Sequence, residues 1–78
     1  MAKVIIYSTQ YCPWCDKAKQ WLKENKVEYE ERNPQTDPKY GQELWQKSKQ
    51  SGVPVMDIEG KIIIGFNVKA MKEALKIQ

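Results

Sequence analysis

The segment Lys3-Val4-Ile5-Ile6-Tyr7-Ser8 constrains the fold more than any other stretch of this chain. It is short, β-branched and nearly continuous in apolar character, the pattern of a strand covered on both faces. A chain of 78 residues is one small domain, spanning 1–78, because domains run from ~50 to 200 residues. The two faces of a central strand must then be covered by the chain's own few helices, which predicts a layered α/β arrangement. Such a chain buries only about 60% of its unfolded surface or slightly more, leaving no spare mass for a lid, so large substrates dock on its outside.

The rest of the chain supplies the layers. Pro13 stands where a helix tolerates proline best, at the first position, and a helix is expected from about Pro13 to Lys26. Its apolar positions Trp14, Cys15, Ala18, Trp21 and Leu22 recur at three- and four-residue intervals, with Lys17, Lys19, Gln20, Lys23 and Glu24 on the wet side. Val27 to Arg32 alternates weakly and predicts an edge strand. After the turn-rich Asn33 to Asp37, Asp37-Pro38 reads as an N-cap and a first-turn proline, opening a second helix to about Lys49. Its apolar stripe of Tyr40, Leu44 and Trp45 is thin. Val53 to Ile58 and Lys61 to Ile64 predict a hairpin around Glu59-Gly60, and Asn67 caps a last helix facing inward through Val68, Met71 and Leu75. The order is β-α-β-α-β-β-α, with a parallel right-handed first unit and an antiparallel hairpin, giving a four-stranded mixed sheet flanked by three helices.

Composition removes most chemistries. The chain has no His, so Ser-His and Cys-His catalysis and His-ligated metal sites are excluded. Its 2 Cys cannot close a tetrahedral zinc site within one chain. Thirteen Lys and Arg against 10 Asp and Glu give +3, spread from Lys3 to Lys76 without a run, so no nucleic-acid partner is expected. Its apolar runs fall far short of the ~18 residues of a membrane span, and Met1-Ala2-Lys3 shows no leader pattern, so the expectation is a cytoplasmic protein; a monomer is expected as well. What remains is thiol chemistry.

Cys12-Pro13-Trp14-Cys15 lies at the junction of the first strand and the first helix. This spacing puts both sulfurs at one helix end, close enough to join and separate. Cys12 at the helix N-terminus meets unpaired N–H groups and the positive end of the helix dipole, so its thiolate forms more readily than that of a free cysteine. Cys15, a turn later on the apolar stripe, is expected to be more buried. Cys12 then attacks an external disulfide and Cys15 resolves the mixed disulfide. Pro13 is also a simple helix starter, and Trp14 is read as an exposed platform beside the sulfurs, a packed Trp being the alternative.

With these residues in place, the chain resembles a glutaredoxin-like redoxin of the thioredoxin superfamily over nearly its whole length. The resemblance runs through Val4-Ile5-Ile6-Tyr7, Cys12-Pro13-Trp14-Cys15, Gly52-Val53-Pro54-Val55 and Gly65-Phe66-Asn67. It implies a thioredoxin fold, catalytic Cys12 and Cys15, and a substrate rim of Tyr11, Pro13, Trp14, Val53, Pro54, Gly65, Phe66 and Asn67. It also implies a cis Pro54 against the cysteines, with Val53 presenting its backbone to the bound peptide. Read alone, Pro54 is equally a trans proline starting an edge strand.

The departures from the family bear on the substrate. Ser8, Thr9, Gln10 and Tyr11 include no basic residue before Cys12, Gly52 replaces a usual Thr, and Gly65-Phe66-Asn67-Val68 stands where Gly-x-Asp-Asp is usual. A glutathione site would lack two charge contacts, each worth ~1.5–3 kcal/mol when well formed. Lys17, Lys19, Gln35 and Lys49 are candidate replacements. The Gly-Phe-Asn sequence is similar to the hydrogen-donor redoxins of ribonucleotide reductase, which take electrons from thioredoxin reductase, although Cys-Pro-Trp-Cys is not their usual motif. The expectation is therefore a dithiol-disulfide oxidoreductase acting on protein or glutathione-mixed disulfides, with no tightly bound cofactor and glutathione as a possible co-substrate. Its electrons come from glutathione or thioredoxin reductase. The rival of another class is a metal or iron–sulfur binding module in which two chains share four thiolates.

Overall fold

A computed structural model describes residues 3–50 and 52–76; Met1 and Ala2, read above for a leader, lie outside them. The elements are β1 (Val4–Tyr7), α1 (Pro13–Glu24), β2 (Glu30–Arg32), α2 (Pro38–Ser48), β3 (Val55–Ile58), β4 (Lys61–Ile64) and α3 (Val68–Leu75). The sheet order is β2-β1-β3-β4. β1 pairs parallel with β2, bringing Tyr7 opposite Arg32, and antiparallel with β3, bringing Tyr7 opposite Val55. β3 and β4 form the antiparallel hairpin. The order and mixed pairing are those expected from sequence.

β1 is buried at all its positions because each face meets a different layer. Val4 and Ile6 join Ala18 and Leu22 of α1, Met56, Ile58 and Ile63 of the hairpin, and Met71 and Ala74 of α3. Ile5 and Tyr7 point the other way, toward Leu44 of α2 and Val55. The period-two alternation of a strand thus becomes two cores, one on each side of the sheet.

Local chemistry sets the helix starts. Pro13 and Pro38 open α1 and α2 where a missing N–H costs no intrahelical bond. Asp37 accepts from the Lys39 N–H at 2.9 Å, and Asn67 accepts from the Ala70 N–H at 3.1 Å.

Three boundaries differ from expectation by two residues or more. α1 stops at Glu24 because Lys26 takes φ 57° and the Val27 N–H turns back to the Leu22 carbonyl at 2.8 Å. Val27 and Tyr29 consequently pack against the core rather than pair, and β2 is confined to Glu30–Arg32. β3 begins at Val55 rather than Val53, since Pro54 brings no N–H to a ladder.

α2 also departs from its apolar pattern. Trp45 is 57% exposed, leaving Leu44 as the helix's one buried residue. The helix is held instead by polar groups beneath it. Lys47 Nζ donates to Tyr7 Oη at 2.8 Å and to Asp57 Oδ2 at 2.7 Å, and Tyr7 Oη donates to Glu43 Oε1 at 2.9 Å. Glu43 also takes the Arg32 guanidinium at 2.5 Å. Burial alone would push the Asp57 and Glu43 carboxyls up. For Asp57 the Lys47 ammonium and the Gly60 N–H outweigh it, and for Glu43 Tyr7 and Arg32 do, so both lie below the usual range. Burial likewise opposes the charge on Lys47, but Asp57 and Tyr7 raise its pKa on balance.

Candidate active site

The two cysteines meet where β1 hands the chain to α1. Cys12 has an extended backbone, φ −139° and ψ 96°, and is the N-cap of α1, so its sulfur replaces the oxygen that usually caps a helix. That sulfur accepts the Cys15 backbone N–H at 3.1 Å, and the Cys12 carbonyl accepts the Asp16 N–H at 3.0 Å. Cys12 and Cys15 are joined in a disulfide with their Cα atoms 5.1 Å apart. Cys12 keeps 9% of its surface exposed and Cys15 none. An incoming sulfur therefore meets Cys12 first.

The structure links several of the residues singled out in the sequence, Trp14 with Phe66 and Pro54 with Gly65. Trp14 is 56% exposed, so it is not the packed Trp of the alternative. Its ring stands 6.4 Å from that of Phe66, centroid to centroid, and the Lys17 ammonium lies 4.4 Å over it. The Val53–Pro54 bond is cis. The Pro54 carbonyl accepts the Gly65 N–H at 2.8 Å, joining the loop before β3 to the turn after β4. Gly65 takes φ 80°, a region costly for any residue with a Cβ, which explains Gly there in terms of the turn alone. Pro13 and Tyr11 are exposed at the surface, Tyr11 almost wholly. The Asn67 side chain is occupied in capping α3.

A groove of about 430 Å³ runs beside Val53, lined by Thr9, Pro34, Gln35, Gly41, Leu44, Gly52 and Val53. None of these residues is charged. Gln35 and Gly52 were noticed in the sequence, but Pro34, Gly41 and Leu44 were not read as lining residues. The signal for Gly41 was its position one turn before Leu44 and Trp45 on α2. Of the other proposed carboxylate contacts, Lys19 is spent elsewhere. It donates to Glu31 at 3.0 Å and lies 3.6 Å from Asp16, and Glu31 also takes the buried Ser8 hydroxyl at 2.6 Å. The hydrogen bond to Glu31 raises the Lys19 pKa, and the bonds from Ser8 and Lys19 lower that of Glu31.

Residues 4–63 match the family model described as Glutaredoxin. The chain belongs to the glutaredoxin family. Among relatives of this glutaredoxin, it is 50% identical over 62 residues to an uncharacterized glutaredoxin-like 8.6 kDa protein in a rubredoxin operon of Clostridium pasteurianum, covering 80% of this chain and 83% of that one. The crystal structure of the glutaredoxin (grx-1) from Archaeoglobus fulgidus superposes with a TM-score of 0.87 at 26% identity, covering 97% of this chain and 88% of that one. NrdH-redoxin from Escherichia coli shares the fold, with a TM-score of 0.82 at 18% identity over 91% of this chain and 92% of that one. The glutaredoxin described here is thus a thiol-disulfide oxidoreductase of thioredoxin fold whose redox partners are disulfides. No helix among its described residues is long and apolar enough to cross a membrane.

Proposed function

We propose that this glutaredoxin is a cytoplasmic, monomeric reductant of protein disulfides, including glutathione-mixed ones, with Cys12 as nucleophile and Cys15 as resolver. The asymmetry of the pair carries the reading: Cys12, the N-cap of α1, keeps 9% of its surface exposed, and Cys15 keeps none. In the dithiol state the Cys12 thiolate attacks one sulfur of the substrate disulfide and the other sulfur leaves as a thiolate that takes a proton. Cys15, deprotonated, then attacks Cys12 Sγ. The protein closes its disulfide, and the second substrate sulfur leaves, so two electrons pass from the dithiol to the substrate. Val53 and the neutral groove beside it receive the substrate backbone, and Tyr11, Pro13, Trp14, Pro54 and Gly65 to Asn67 form the rim.

The test is a pair of variants. Cys12→Ser abolishes reduction of a protein disulfide, whereas Cys15→Ser accumulates a mixed disulfide resolvable on a non-reducing gel. Retained turnover in the Cys12 variant would sink the assignment.

A second reading concerns the electron source. The groove beside Val53 holds no charged lining residue, Lys19 is committed to Glu31, and Asn67 is committed to capping. This favours a flavoprotein dithiol reductase, of the thioredoxin reductase type, over glutathione. NADPH oxidation coupled through thioredoxin reductase is expected to outpace the same assay with glutathione and its reductase, and a low-micromolar glutathione affinity would contradict it.

A further inference from the structure

The pair Trp14 and Lys17 is more than a solvated helix turn. The residues are neighbours three positions apart on α1, and the ammonium is held 4.4 Å over the ring. Phe66, packed on the core beneath α1 and α3, stands against the same Trp. The cation therefore has a defined place over Trp14, the residue that precedes Cys15. It also has no anion: the ion pairs among the described residues take Lys19, Arg32 and Lys47, and none takes Lys17. Lys19, two residues on, shows the contrast, since it is bound to two carboxylates. The groove lined by Gln35, Gly52 and Val53, by contrast, is uncharged.

From this asymmetry we infer that Trp14 and Lys17 read a carboxylate-bearing segment of the substrate protein, next to the cysteine that Cys12 attacks. The inference rests on the assignment of Cys12 as nucleophile. An extended segment crossing the site lays neutral residues along the Val53 side and an acidic residue over Trp14, where the ring supplies apolar contact and Lys17 the charge. The carboxylate is assigned to a polypeptide, whose flanking side chains can also cover Trp14, itself 56% exposed. Trp14 and Lys17 are thus specificity-determining residues, and Trp14 positions the cation.

Two synthetic disulfide peptides that differ only in Glu or Gln beside one cysteine test this, each reduced in a single turnover by the full-length dithiol protein at low salt. The Glu peptide is expected to react about two- to five-fold faster, the scale of one exposed ion pair. Lys17→Gln brings the ratio to about one, Lys17→Glu inverts it, and Trp14→Ala narrows it with Lys17 in place. Lys23→Gln, the same charge lost at the far end of α1, leaves the ratio unchanged. An unaltered ratio in Lys17→Gln, or an equal loss in Lys23→Gln, overturns the inference. So does an effect of Lys17→Gln confined to glutathione disulfide, which would assign the carboxylate to that small molecule. The uncharged disulfide of mercaptoethanol separates the two levels. Failure to reduce it overturns the nucleophile assignment and this inference together, whereas its reduction without peptide preference overturns this inference alone.

Discussion

The Cys15 backbone N–H donates to the Cys12 sulfur at 3.1 Å, so an amide of the first turn of α1 is aimed at the sulfur that caps the helix. When the disulfide opens, that amide and the helix dipole face a thiolate. Alkylation of the reduced protein by iodoacetamide should then occur first at Cys12. Its pH midpoint should lie below the ~8.5 of an unperturbed thiol. A midpoint at or above that value would show that the helix end does not activate the sulfur.

Lys47 joins Tyr7 to Asp57 beneath α2. Both side chains of the ion pair are only partly exposed, at 29% and 15%. Lys47→Met leaves Asp57 poorly paired and should cost about 1–2 kcal/mol, discounted from a fully buried pair for solvent screening. In a domain of this size that lowers Tm by about 5–15 °C. The double variant with Asp57→Asn should lose less than the sum of the singles, and strict additivity by thermal melting would argue against coupling.

Leu44 is the one buried apolar anchor of α2 and one wall of the neutral groove. Leu44→Ala should destabilise the protein by roughly 2–4 kcal/mol through lost contacts and the cavity left behind. Because the same side chain lines the groove, substrate KM should rise by more than kcat falls. Urea denaturation and steady-state kinetics check the two effects separately.

Acid should unfold the protein through a small set of carboxylates. The Ser8 hydroxyl and Lys19 depress Glu31, and hydrogen bonds and cations overcome burial to depress Glu43 and Asp57. A depressed folded pKa adds stability that is complete above the unfolded values of about 4.3 for Glu and 3.9 for Asp, and is lost as pH falls through the folded value. Lys19 and Lys47 are raised, so their share is complete below about 10.4 and is lost only as pH rises further. Melting temperature should be level from neutrality to about pH 5 and then fall. Glu31→Gln should flatten that fall, and an unchanged acid limb in this variant would remove Glu31 from the account.

The features legible in the sequence were those settled within a few residues of chain. Pro13, the Asp37-Pro38 pair and the Asn67 cap each satisfy a helix end with adjacent atoms, so local pattern sufficed. Trp45 misled because its helical spacing matched the apolar stripe while its side chain faces solvent. Val27 and Tyr29 misled in the opposite sense: their alternation resembled a strand, but the turn at Lys26 delivers them to the core as packing residues.

By itself the sequence determined the order of elements, the two-sided burial of β1 and the placing of two cysteines at a helix N-terminus. These follow from periodicity and from the chemistry of chain ends. Only the tertiary structure decided which charges are spent and which are available. Tyr7 finds Glu43 and Lys47 at separations of 36 and 40 residues, and Lys19 rather than Lys17 finds Glu31 across the parallel β1–β2 unit. Two lysines two positions apart on one helix look alike in a pattern. The packing of β2 beside β1 gives one of them a carboxylate, while the other lies over the ring of Trp14.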